Sequence, residues 1–183
     1  MKPTIYLIGG LPRCGKSTLA KYLLKTDQLN YVSLDMIQSL LNGIAPELGI
    51  DVDMGHEEKV EQFFPMLSMY VKTCFYYNAT LVIEGDAISP KHIAILEEKF
   101  PVRSIFLGDE LITGASLSER TGCNDWISEK TNAEKESLAR WIGEKSLWLK
   151  SECERYGVPY VNLKDIHPTS LEAARVLLLD LNK

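Results

Sequence analysis

Two hydrophobic rhythms alternate along the chain. Short apolar or β-prone runs occupy residues 5–8, 31–34, 80–83, 102–107 and 158–163. Runs that are continuous rather than alternating suit parallel strands covered on both faces. Between them, apolar side chains recur every three or four positions, as they do on helices that bury one face. Leu19, Ala20, Leu23 and Leu24 form the first such stripe, with Lys21 and Lys25 outward, and the helix is expected to end near Asp27. A short helix runs from Met36 towards the stop signal Asn42-Gly43. Residues 44–55 hold Pro46, Gly49, Gly55, Asp51 and Asp53 and read as a loop. Residues 56–77 form a long helix carrying Phe63, Phe64, Leu67, Tyr70, Val71, Cys74 and Phe75 on its apolar face, with Pro65 as a candidate kink.

Further on, Ser89-Pro90 sets an N-cap with proline at the first helical position, and Ile93, Leu96 and Phe100 give that helix its inner face. Residues 108–132 are polar and glycine-punctuated, with Arg120, Asn124, Asp125 and Lys130 among them, and read as a lid. Thr131-Asn132-Ala133-Glu134 is a capping box that opens an amphipathic helix through Tyr156, closed by Gly157 and Pro159. Thr169 to Glu172 is expected to cap a last helix through Leu179. Strands alternating with helices predict an α/β fold: an open parallel sheet with right-handed crossovers, whose ligands gather at the carboxyl ends of the strands. Gly10, Asp35, Glu84 and Asp109 all fall at such ends.

With 183 residues, 45% apolar and 25% charged, the chain fits one globular domain. A net charge of −5 argues against a nucleic-acid partner, which usually calls for a basic face. Cys14, Cys74, Cys123 and Cys153 have no metal-ligand spacing and read as reduced thiols of a cytoplasmic protein. The first apolar stretch is too short for a signal sequence or a membrane span.

Candidate chemistry enters where the first strand meets Gly10-Leu11-Pro12-Arg13-Cys14-Gly15-Lys16-Ser17-Thr18, a match to the phosphate-binding pattern G-x-x-x-x-G-K-[ST]. Glycines let backbone N–H groups converge on phosphate oxygens, and the following helix turns its positive end to the same anion. Lys16 supplies an ammonium for the outer phosphates, and the Ser17 hydroxyl is placed to ligate Mg²⁺. Cys14 is either a thiol activated by the helix N-terminus or, the reading favoured here, a small packing residue.

Three carboxylates compete for the remaining roles. Asp35 can take a proton from an acceptor hydroxyl, cap the next helix, or do both. Glu84 stands where a P-loop sheet presents an acid to the metal's water shell, and Asp86 is close behind it. Asp109-Glu110 imitates the acidic pair of a motor ATPase, but Gly108 spoils the register. The guanine-binding N-K-x-D and the switch D-x-x-G are absent from the sequence. Arg120 is either a lid cation, with Lys130 as the further one and Arg13 and Arg140 as substitutes, or an exposed helix-end cation before Gly122 with no part in the chemistry. His56, His92 and His167, and Trp141 with Trp148, read as packing or surface residues.

On residues 9–18, Asp35 and residues 81–86, the chain resembles the small P-loop kinases that are similar to adenylate kinase in fold. Among these it is nearest to hydroxyl-phosphorylating members such as polynucleotide kinases and 2-phosphoglycerate kinases. The resemblance implies a five-stranded sheet in the order 2-3-1-4-5, ATP and Mg²⁺, an acceptor-binding segment over residues 36–80 and a lid over residues 109–132. Gln38 departs from the pattern, which often has arginine there, and the lid holds Arg120 with only Lys130 besides. The expected activity is transfer of the γ-phosphoryl group of ATP to a hydroxyl of a small molecule. Lys16, Asp35 and Arg120 would carry it, with Ser17 and Glu84 or Asp86 serving the metal. A nucleoside monophosphate kinase would need more cations than Lys59 and Lys72, the only ones in residues 36–80. A non-catalytic ATP-binding regulator is the alternative of another class.

Overall fold

In the computed structural model, which describes residues 3–50, 55–120, 126–164 and 166–180, strand and helix alternate from end to end. The order is β1 (Ile5–Gly10), α1 (Lys16–Asp27), β2 (Tyr31–Ser33), α2 (Leu34–Ile44), a 3₁₀ turn at Pro46–Leu48, α3 (His56–Tyr76) and β3 (Leu81–Glu84). Then come α4 (Pro90–Glu97), β4 (Val102–Gly108), α5 (Gly114–Glu119), α6 (Asn132–Tyr156), β5 (Tyr160–Asn162) and α7 (Pro168–Leu179). The five strands make one sheet in the order β2-β3-β1-β4-β5, every pair parallel. A parallel sheet must be covered on both faces, and its central strand shows it: Ile5, Leu7 and Ile8 are fully buried, with Phe106, Ile83, Leu67 and Phe63 around them. Each such side chain withdrawn from water contributes about 1.5–3 kcal/mol.

Several ends differ from the sequence expectation, each for a local reason. The chain leaves β2 one residue early, so Leu34 opens α2 and Asp35 stands in its first turn. Asn42-Gly43 does not stop α2. The helix runs on to Ile44 and ends at Ala45, the residue before Pro46, where the proline ring disfavours helical dihedrals. Pro65 lies inside α3 without ending it; the carbonyl that loses its partner belongs to Glu61, on the exposed side of the helix. The last helix is capped by His167, whose ring accepts the Thr169 N–H, with Pro168 at the first helical position. The expected cap at Thr169 is thereby corrected, because proline selects the helix start. The capping box at Thr131 and Glu134 and the left-handed Gly157 that ends α6 are as the sequence predicts.

Away from the loop end of the sheet, α1 is clamped to α7. The Arg175 guanidinium donates to both oxygens of Asp27, at 2.7 and 2.5 Å, and to Glu172 at 2.8 Å, while the Tyr22 hydroxyl donates to Glu172 at 2.8 Å. The hydrogen bonds from Arg175 hold the Asp27 carboxyl below its ordinary 3.8. A depressed carboxyl pKa contributes stability above the unfolded value and loses it as pH falls through the folded one. Arg175→Ala is expected to lower stability by about 1 kcal/mol at pH 7. The gap between the two proteins should be full well above pH 3.8 and narrow as pH falls below it, as urea titrations at pH 7 and pH 3 would show.

Candidate active site

At its carboxyl end β1 runs into the glycine-rich loop under a tight constraint. Gly10 has φ +135°, and a Cβ built there would stand 2.1 Å from the Leu107 carbonyl oxygen. Only glycine lets β1 and β4 close at this point, and the loop starts from that contact. Arg13 then takes a left-handed φ of 62°. Helix α1 begins at Lys16 with Gly15 at its N-cap and no side chain bonded over its first turn. Its leading N–H groups stay available to an anion. Pro12, Arg13, Gly15, Lys16, Ser17 and Thr18 line a cavity of about 850 Å³. Leu11 and Cys14 lie behind it, fully buried.

Burial pushes the Cys14 thiol up to about 11 against the pull of Lys16 and Arg120, so it stays a neutral packing residue in the loop. Lys16 is 6% exposed, and its ammonium donates to the Leu11 carbonyl at 2.9 Å.

The register of β1 with β3 pairs Ile8 with Glu84, two residues short of Gly10. Glu84 is therefore carried to the floor of the loop, where its Oε1 accepts the Ser17 hydroxyl at 3.1 Å. The carboxylate is 1% exposed, and Oε2 has no hydrogen-bond partner among the described residues. A buried carboxylate oxygen without a donor, next to the loop serine, fits the water shell of a Mg²⁺ ion that serine would ligate.

Asp86 is engaged differently. Its Oδ2 is 3.3 Å from the Lys59 ammonium, with the two side chains 17% and 12% exposed. Burial works to raise the Asp86 carboxyl, but Lys16 and Lys59 overbalance it and hold the group below its ordinary range. Of the two acids considered for the metal, Glu84 is thus beside Ser17 and Asp86 is beside Lys59.

Asp35 meets these groups through a second glycine contact. A Cβ on Gly85 would be 2.8 Å from the Leu34 Cβ and 3.2 Å from the Asp35 Oδ1, so the start of α2 sits directly on the end of β3. In that position Asp35 Oδ1 accepts the Asp86 N–H at 3.2 Å. Asp35 is exposed to solvent across the cavity, and the walls on either side strip part of the water from its carboxyl. This desolvation pushes its carboxyl up to about 6, against Lys16 and with the negative charges of Asp86 and Glu84. A second, smaller cavity of about 220 Å³ adjoins the first, and Lys16 and Asp35 line both. Gln38, 3% exposed, and the Lys59–Asp86 pair line only the smaller.

Arg120 stands at the end of α5 and is anchored rather than free. Its guanidinium donates to Asp109 at 2.5 Å, to the Lys164 carbonyl at 2.6 Å and to the Arg13 carbonyl at 3.2 Å. Arg13 donates in return to the Arg120 carbonyl at 3.0 Å. Asp109 is 2% exposed and serves as the anchor of Arg120. Trp126 lines both cavities, with the Arg13 guanidinium 5.5 Å and the Lys130 ammonium 5.4 Å from its ring centre.

Among the other sequence candidates, His92 stacks on Phe64 at 3.9 Å, and Arg140, Trp141 and Trp148 line neither cavity. Asp51, Asp53, Cys123, Asn124 and Asp125 lie outside the described residues. Sequence reasoning did not single out Lys59 or Trp126 for the site. Lys59 had one visible signal, as one of only two cations in residues 36–80.

No protein-family model matches the chain, and no curated protein matches it in sequence. Its fold is nevertheless similar to solved structures. Shikimate kinase from Bacteroides thetaiotaomicron superposes with a TM-score of 0.60 at 14% identity, covering 100% of this chain and 99% of that one. A gluconokinase from Sinorhizobium meliloti gives 0.58 at 14% identity, over 98% of this chain and 96% of its own. A sugar kinase from a Janibacter species gives 0.57 at 16% identity, over 97% and 95%. What is shared at these identities is the α/β fold of small P-loop kinases, with its parallel sheet in the order β2-β3-β1-β4-β5. Among the described residues no helix is long and apolar enough to cross a membrane.

The contact of Gly85 with α2 can be tested alone. Gly85→Ala is expected to force Leu34 and Asp35 away and to lower stability by about 1–3 kcal/mol. An unchanged urea midpoint would show that the end of β3 does not hold α2 in place.

Proposed function

We propose that the protein is an ATP-dependent kinase that moves the γ-phosphoryl group of ATP to a hydroxyl of a small molecule. The observation that carries this reading is the shared position of Asp35 and Lys16, which line both the large cavity of the phosphate loop and the small cavity beside it. A phosphoryl group held by Lys16 would lie between donor and acceptor, with a carboxylate on the acceptor side.

In this reading the loop N–H groups and Lys16 hold the β- and γ-phosphates, and the ammonium leaves the Leu11 carbonyl to do so. Ser17 would ligate a Mg²⁺ ion, with Glu84 behind its water shell, and the ion would supply positive charge against the phosphates. Asp35 orients the acceptor hydroxyl and takes its proton. The hydroxyl oxygen forms a bond to the γ-phosphorus while the bond from that phosphorus to the β–γ bridging oxygen breaks, and ADP leaves with the electron pair. A carboxyl raised to about 6 suits a base working near neutrality better than an ordinary aspartate. Arg120, fixed on Asp109, adds positive charge at the loop without having to swing in.

Residues 109–132 form the lid, with Arg120 and Trp126 on the cavity walls, and residues 36–80 the acceptor-binding segment, with Met36, Gln38, Ser39 and Lys59 there. The solved kinases of the same fold support the transferase reading, and their named acceptors, shikimate and sugars, support a small-molecule acceptor. Free, buried thiols at Cys14, Cys74 and Cys153 support a cytoplasmic setting.

Asp35→Asn should lower kcat by about 10²–10⁴-fold while the Kd for ATP stays nearly unchanged. In the unaltered protein kcat/KM should rise as pH increases through about 6, where Asp35 loses its proton, and then level off. The asparagine variant should lack that rise. A variant with normal kcat would remove Asp35 from the base role. Lys16→Ala should abolish transfer from γ-labelled ATP, and surviving turnover would move the site elsewhere.

A further inference from the structure

The geometry points to an uncharged polyol with two neighbouring hydroxyls as the acceptor, held in the small cavity by the Lys59–Asp86 pair. This rests on the kinase reading above and narrows it to a substrate class.

The argument starts from a charge count at the cavity wall. Among the described lining residues the charged groups are Lys16, Lys59, Asp35 and Asp86, two of each sign. Lys16 is taken by the transferring phosphates, and Lys59 is 3.3 Å from Asp86. An acceptor carboxylate or phosphate would meet Asp35 and Asp86 with no uncommitted cation to receive it. Like charges brought together in a confined, partly desolvated space are strongly disfavoured.

The surroundings do not change this balance. His56 faces Asp86, but desolvation lowers its pKa and keeps the ring neutral at pH 7. Lys145, near the same end of α3, is 3.6 Å from Glu57.

What the wall does offer is matched to hydroxyls. Asp86 gives one oxygen to Lys59 and has a second, Oδ1, without a hydrogen-bond partner among the described residues. A carboxylate beside an ammonium can accept from one hydroxyl and donate, through the ammonium, to the oxygen of the next. That pairing fits a vicinal diol and gives an anion nothing. Gln38 and Ser39 bring an amide and a hydroxyl to the same wall, and Pro12 and Trp126 supply apolar surface for carbon-bound hydrogens. The volume, about 220 Å³, is below the roughly 300 Å³ at which drug-sized pockets begin. It suits one ring or a short carbon chain.

The test uses the full chain with γ-labelled ATP and acceptors that share a skeleton but differ in charge. Glucose, ribose, myo-inositol and adenosine form the neutral set; gluconate, glucose 6-phosphate, ribose 5-phosphate and glucosamine form the charged one. We expect label in at least one neutral polyol, with kcat/KM at least about tenfold above its charged counterparts. Label confined to a carboxylate, a phosphate or an amine overturns the polyol class while leaving the kinase reading intact. A second arm measures calorimetric binding of the same compounds to protein loaded with a non-hydrolysable ATP analogue. Binding of a neutral polyol without any transfer supports the pocket and sinks the kinase reading; neither binding nor transfer of a neutral polyol overturns this inference. Lys59→Met should raise KM for the labelled polyol about tenfold and change kcat much less. An unaltered KM in a variant that still melts cooperatively would remove Lys59 from the acceptor site.

Discussion

At the carboxyl end of β1 the backbone of β4 comes so close that residue 10 has no room for a side chain. That contact between Gly10 and the Leu107 carbonyl fixes where the phosphate loop departs from the sheet, and much of the site is arranged by reference to it. The β1–β3 register brings Glu84 under Ser17, and the β1–β4 register brings Asp109 to the level where Arg120 can be fastened beside Arg13. Hydrophobic burial of Ile5, Leu7 and Ile8 gives the sheet its stability, but the register converts that stability into position.

Electrostatically, the site gathers Asp35, Glu84 and Asp86 around Lys16, with Lys59 next to Asp86. The two ammoniums divide the three carboxylates into different environments. Asp86 is held ionised by Lys16 and Lys59, Glu84 is tied to Ser17, and Asp35, with the least compensation, is pushed up to about 6. Groups of one chemical type thereby acquire distinct capacities through their neighbours alone.

The parts of this arrangement legible in the sequence are those set by neighbours in the chain. The phosphate loop, the capping box at Thr131 and Glu134, the Ser89-Pro90 start of α4 and the left-handed Gly157 are local, and the order of apolar runs yields the parallel sheet. The start of α7 was misplaced because two local signals overlapped and Pro168, which fixes its own φ, prevails over Thr169. Lys59 and Trp126 were not legible as cavity residues, since one comes from α3 and the other follows α5, and only folding brings both to Pro12 and Asp35. Arg120 was legible as a cation near the loop, but its near-complete burial depends on Asp109 and Lys164, far apart in sequence. The thiol of Cys14 shows the same limit: a helix N-terminus suggests activation, whereas burial by distant side chains decides its state.

The reciprocal bonds between Arg13 and Arg120 also bear on whether this phosphate loop is a portable cassette. Arg13 adopts a left-handed backbone that costs a non-glycine residue on the order of 1–2 kcal/mol. Its carbonyl and its guanidinium are both held by Arg120, which is itself fastened to β4 through Asp109. Part of the loop's shape is therefore stored more than a hundred residues away. Residues 9–18 grafted onto another sheet would carry the sequence pattern without its scaffold, and a domain rebuilt around this loop would have to import Arg120 and Asp109 with it.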